Sequence, residues 1–126
     1  MKLMLRRDQK SGLIGSSIKF TLTVRAELSD DEQAWVKKYK MGDTVLYQSH
    51  ELIDKGGGLL GLASRLAFKM MTITVCVDDL AKGRSLEFKD IVEMLAVEGQ
   101  IKQAAHTFKD VLAAAAHFGG EEIIDI

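Results

Sequence analysis

The chain has 126 residues, 47% hydrophobic and 28% charged, with a net charge of −1. That composition excludes wholesale disorder and gives no overall field for nucleic acid, and the length predicts a single domain over residues 1–126. One cysteine excludes an internal disulfide framework. The opening residues lack a signal-peptide apolar run, so the expected location is the cytoplasm.

Residues 1–7 read as a short strand with Leu3 and Leu5 on one side. The Ser-Gly-Leu-Ile-Gly-Ser stretch at 11–16 reads as a loop. Residues 18–28 then alternate strictly. Ile18, Phe20, Leu22, Val24, Ala26 and Leu28 interleave with Lys19, Thr21, Thr23, Arg25 and Glu27, the pattern of a strand with one buried face. The two strands are expected to form a hairpin.

Ser29 and Glu32 make a capping box at the start of a helix. Asp30 and Asp31 complement the positive end of its dipole, and Lys37, Lys38 and Lys40 the negative end. Trp35, Val36 and Tyr39 are its apolar contacts, and Gly42 is read as its terminator. A strand follows at 44–49. Residues 72–77 are another strand, with Ile73, Val75 and Val77 facing the core. A turn at Lys82-Gly83 and the alternation of Leu86 with Phe88 suggest a second hairpin.

Asp90 and Glu93 form another capping box, before a long helix reaching to about Phe118. Its seam steps by three and four through Met94, Val97, Ile101, Ala104, Phe108 and Val111, then Ala115 and Phe118. Gly99 costs about 1 kcal/mol relative to Ala and marks a point where the helix could kink. Gly119-Gly120 is a stop signal, and 121–126 can make a last strand. The order is β-β-α-β-(Gly-rich segment)-β-β-α-β. It predicts an α+β domain: a mostly antiparallel sheet of five to six strands with two to three helices packed on it.

The Gly-rich segment carries the most suggestive chemistry. Gly56, Gly58 and Gly61 fit G-x-G-x-x-G, with Gly57 between them, a helix-capable stretch at 59–69 and Asp78 placed 22 residues after Gly56. This spacing resembles a dinucleotide fingerprint, in which backbone N–H groups cradle a pyrophosphate. The context opposes it. Ser49, His50, Glu51, Asp54 and Lys55 are too polar for the buried strand that must precede the first glycine. It is not a P-loop, since Leu62 and Ala63 stand where Lys and Ser/Thr are required. What remains is a candidate anion site at Gly56, Gly57, Gly58 and Gly61, helped by Lys55 and Arg65.

Residues 59–71 also invite an apolar docking role through Leu59, Leu60, Leu62, Leu66 and Phe68. Arg65 and Lys69 interrupt the run, which argues against a membrane span. A helix packed on the sheet or a loop covering its edge, a protein-partner site and a lipid-surface helix remain, in that order; two cations supply only about 2 kcal/mol of attraction to anionic lipid.

No other constellation assembles. His106 and His117 share a helix face but lie about 16 Å apart along it, too far for one metal. His50-Glu51 is isolated. Asp78-Asp79 lacks further oxygen ligands and reads as a cap for the turn after its strand. Cys76 has no histidine at a diagnostic spacing. Arg6-Arg7-Lys10 and Lys37-Lys38-Lys40 are basic groups without interleaved stacking aromatics, so nucleic acid is not an expected partner. Residues 1–70 carry +4 and residues 71–126 carry −5, an asymmetry that either offsets locally or marks an interaction surface.

The expectation is a non-catalytic interaction or assembly domain, with no cofactor or metal, whose partner is another protein or a second copy. The rival is a binder or enzyme for a phosphorylated small molecule at 56–61. Peripheral membrane contact through 59–71 is the third reading.

Overall fold

The computed structural model describes residues 1–11, 18–53, 69–121 and 123–126. The described chain is α+β. Its strands are β1 (Lys2–Ser11), β2 (Ile18–Glu27), β3 (Val45–Ile53), β4 (Lys69–Cys76) and β5 (Arg84–Phe88). Its helices are α1 (Asp30–Lys38), α2 (Val77–Lys82) and α3 (Ile91–Ala116). The strands fall into two antiparallel sheets rather than one: β1-β2-β5, and the separate pair β3-β4.

β2 is the centre of the first sheet, and its alternation does what the sequence implies. Leu22, Val24 and Ala26 are buried, while Arg25 and Glu27 are exposed. β1 pairs with it without a break, from Lys2 opposite Glu27 to Ser11 opposite Ile18. Met1, Leu3 and Leu5 pack against the core. From Arg6 onward every β1 residue is exposed. Only Lys10 and Ser11, paired with Lys19 and Ile18, run on as two strands past the end of β5.

The expected hairpin of 72–77 with 86–88 does not form. Val77 starts α2 instead, and β5 crosses to pair with β2, from Phe20 opposite Phe88 to Val24 opposite Arg84. The cause is local. Val77 and Leu80, spaced i and i+3, are both buried, and one helical turn is what brings both inward. The Asp79 carboxylate accepts the Cys76 N–H at 2.9 Å, closing that turn. Gly83 then leaves it at φ +95°, a conformation that suits glycine.

α1 begins with the expected box: Ser29 Oγ accepts the Glu32 N–H at 3.2 Å, and Glu32 Oε1 accepts the Ser29 N–H at 3.0 Å. Its end differs from expectation. Lys40, not Gly42, takes the left-handed position, at φ +53°. The Lys40 N–H donates to Lys37 O at 3.3 Å and the Met41 N–H to Val36 O at 2.9 Å, the paired bonds of a Schellman motif. Gly42 serves a different need. The Asp78 carboxylate occupies the space a Cβ would take there, and the Asp78 N–H donates to Gly42 O at 3.0 Å. This joins the turn before β3 to the start of α2.

α3 packs across β2, β3 and α1. Met94, Val97, Ile101 and Phe108 are buried as expected. Lower down, Ala105 and Leu112 are buried in place of Ala104 and Val111, and Phe118 is exposed to solvent except for an edge contact with Tyr39, ring centroids 5.7 Å apart. Steps alternating between three and four average 3.5 and drift about 20° per heptad against a helix of period 3.6, so the buried line moves off that seam toward the C-terminal end. Gly99 is exposed and the helix runs through it unbroken. Of the second capping box, the Asp90 half forms, accepting the Val92 N–H at 2.8 Å. The last strand is absent: residues 121 and 123–126 have no regular structure.

Candidate functional site

The sequence-predicted anion site (Lys55, Gly56, Gly57, Gly58, Gly61, Arg65) and the apolar docking set (Leu59, Leu60, Leu62, Leu66, Phe68) lie outside the described residues. The structure bears on their flank. Residues 69–71, expected to close the amphipathic stretch, belong to β4, so the apolar run to Val77 is not one helix. No described helix is long and apolar enough to cross a membrane.

Among the described residues, no three His, Cys, Asp or Glu side chains come together as metal ligands would. His106 and His117 are exposed, on α3 and at its end. Cys76 is half-buried, and its Sγ–H donates to Asp79 Oδ2 at 3.2 Å. The Cys76 N–H and then its thiol hold the Asp79 carboxyl below the usual range. Asp79 is thus a cap, as expected for that dipeptide.

The basic group Arg6-Arg7-Lys10 is divided by strand alternation. Arg6 lies on the outer face and bonds Asp8 at 2.9 Å. Arg7 lies on the inner side and reaches across to α3, where Nε and Nη2 donate to Glu98 Oε1 and Oε2 at 2.6 and 2.9 Å. Lys102 Nζ stands 3.7 Å from the same carboxylate. The bond from Arg7 lowers the Glu98 carboxyl against the opposing effect of burial, with Lys102 adding to the lowering. Sequence reasoning missed this clamp. Its one signal was a glutamate at a buried phase of α3, one residue after Val97. At the other end of β1, Glu32 accepts from the Met1 ammonium at 2.6 Å. Burial works to raise that carboxyl, and the ammonium and Ser29 bonds outweigh it.

Among the described residues, a concavity of about 720 Å³ lies between the end of β2, α1 and the start of α2. Arg25, Lys37 and Lys40 line it together with Glu27, Asp43 and Asp78. Three cations against three carboxylates offer no net preference for an anion or a cation, and Gly42 and Asp78, in contact with each other, are part of its lining.

The feature that stands out is the free edge of β1. Among the described residues, this ten-residue strand has a partner on one side only. Edge strands are normally protected by bulges, prolines, shortness, lysines or inward charges; of these β1 carries Lys2, Lys10 and the inward Arg7, whose charge Glu98 offsets. β1 has unbroken register and no proline, and its charge is one-sided: Lys2, Arg6, Arg7 and Lys10 against Asp8. Lys10 also sits directly opposite Lys19 of β2, a repulsive cross-strand pair. The edge is thus a row of backbone donors and acceptors in a positive field, beside the half-buried Leu3 and Leu5. An unpaired edge of this kind is chemically able to accept an added strand. Compared with family models, curated proteins and solved structures, the chain matches none.

Proposed function

We propose that the protein is a non-catalytic assembly domain that associates by strand addition at the free edge of β1. The observation that carries this reading is the length and continuity of that edge: ten residues paired with β2 on one side, without bulge or proline, and without a partner on the other side among the described residues. An added strand satisfies the outward N–H and C=O groups and covers Leu3 and Leu5. Its acidic side chains offset the excess of lysine and arginine. The phosphorylated-ligand reading at 55–65 and the lipid reading at 59–71 concern residues that, apart from 69–71 in β4, lie outside the described ones, and no observation favours either over the edge.

The test is hydrogen exchange of the β1 amides across a concentration series, with light scattering on the same samples. Association is expected to slow exchange in β1 first, in step with the rise in mass. A strict monomer whose β1 amides exchange at one rate throughout would refute the reading.

A further inference from the structure

The segment after α3 has the chemistry that the β1 edge lacks. Residues 121, 123–126 have no regular structure, and Ile123 and Ile124 are 82% and 69% exposed, with Ile126 fully so. Isoleucine favours strands, and three of them left in water are unusual. The six residues from Glu121 carry −3, from Glu121, Glu122 and Asp125. β1 carries +3.

We infer that residues 121–126 of a second copy of this chain add antiparallel to the free edge of β1. The inference rests on the edge-pairing function proposed above and names the occupant. One register satisfies every constraint on the inner side: Ile126 opposite Leu3, Ile124 opposite Leu5 and Glu122 opposite Arg7. The isoleucines then extend the apolar face that Leu3 and Leu5 begin, and Glu122 joins the arginine that already holds Glu98. On the outer side Asp125 falls opposite Met4, with Lys2 and Arg6 as its diagonal neighbours. Ile123 falls opposite Arg6, and Glu121 falls opposite Asp8, an unfavourable direct pair, with Arg6 and Lys10 as its diagonal neighbours.

The donor is another copy because the chain's own segment does not reach. Glu98, which holds Arg7, and Ala116 are about 27 Å apart along α3. Beyond that point the Phe118 ring makes an edge contact with Tyr39. The four residues from Phe118 to Glu122 extend at most about 14 Å.

The experiment is sedimentation with hydrogen exchange on four proteins. Wild type is expected to associate with β1 protected. Ile124→Asp with Ile126→Asp is expected to be monomeric and folded, since both residues are exposed. Arg6→Glu with Lys10→Glu is expected to weaken association at least tenfold. Adding Glu121→Lys and Asp125→Lys to that variant is expected to restore it, which a merely structural role for the charges would not do. Association that survives Ile124→Asp/Ile126→Asp with β1 still protected overturns the choice of occupant and leaves edge pairing standing. A charge reversal without rescue overturns the register and with it the inference. A wild-type monomer with unprotected β1 overturns both.

Discussion

The packing of α3 makes a comparison of two adjacent substitutions decisive. Leu112 is 1% exposed and Val111 45%. Leu112→Ala removes three carbon groups from the core, each worth about 0.8 kcal/mol, so transfer alone costs about 2.4 kcal/mol. The unfilled space adds to this, for a total of about 3–5 kcal/mol. Val111→Ala removes two half-wet methyl groups and gains helix propensity of about 0.5 kcal/mol, so the net change is within about 0.5 kcal/mol of zero. The assay is urea unfolding followed by circular dichroism, at protein concentrations low enough that association does not add to stability. Equal slopes with a midpoint lowered only for Leu112→Ala are expected. A larger loss for Val111→Ala than for Leu112→Ala would refute the helix phase, and with it the burial of Ala105 and the placement of Glu98 under Arg7.

Three further outcomes are expected. Lys40→Gly relieves a left-handed backbone and should raise the unfolding free energy by about 1 kcal/mol, measured by the same urea titration. Gly42→Ala should destabilise by overlap with the Asp78 carboxylate, and Asp78→Gly in the same chain should recover much of the loss, a coupling read from a double-mutant cycle. The Glu98, Glu32 and Asp79 carboxyls are all lowered in the fold. Their stabilisation is therefore complete above the ordinary carboxyl pKa of about 4 and is lost as pH falls through the lower folded values. Acid titration of Glu98→Gln should show a shallower loss than wild type over that range.

Much of the architecture could be read from local signals. The alternation of β2, the Ser29–Glu32 box and the stop at Gly119-Gly120 each act within a few residues, and each appears as expected. What could not be read was non-local. Nothing within 72–88 says that β5 will pair with β2 rather than with β4, because the deciding contacts, Val77 and Leu80 against the core, exist only once the first sheet is present. The separation into two sheets follows from the same event. The Lys40 turn was hidden because a lysine replaces the glycine that usually marks that geometry. At the candidate site the sequence showed basic residues near 6–10 and a possible strand at 121–126. The role proposed for both depends on β1 having, among the described residues, a partner on one side only, which is a property of the sheet and not of either segment. The charge asymmetry between the two halves did point the right way for Arg7, whose partner Glu98 lies in the acidic half.

The crossing of β5 to β2 also sets an order of events as the chain folds. β1 and β2 are joined by a short connection, and their pairing begins at Ser11 and Ile18. The β2–β5 pairing joins Val24 to Arg84 and must wait until the whole β3–β4 hairpin and α2 are gathered between them. Distant pairings of this kind form late, because the entropy of closing the loop is lost before any contact rewards it. In the interval the β1–β2 ribbon is bare on both sides, with the alternating apolar face of β2 uncovered. Newly made chains are then most open to capture by one another, so β5, only five residues long, is as much a guard of the nascent sheet as a member of the finished one.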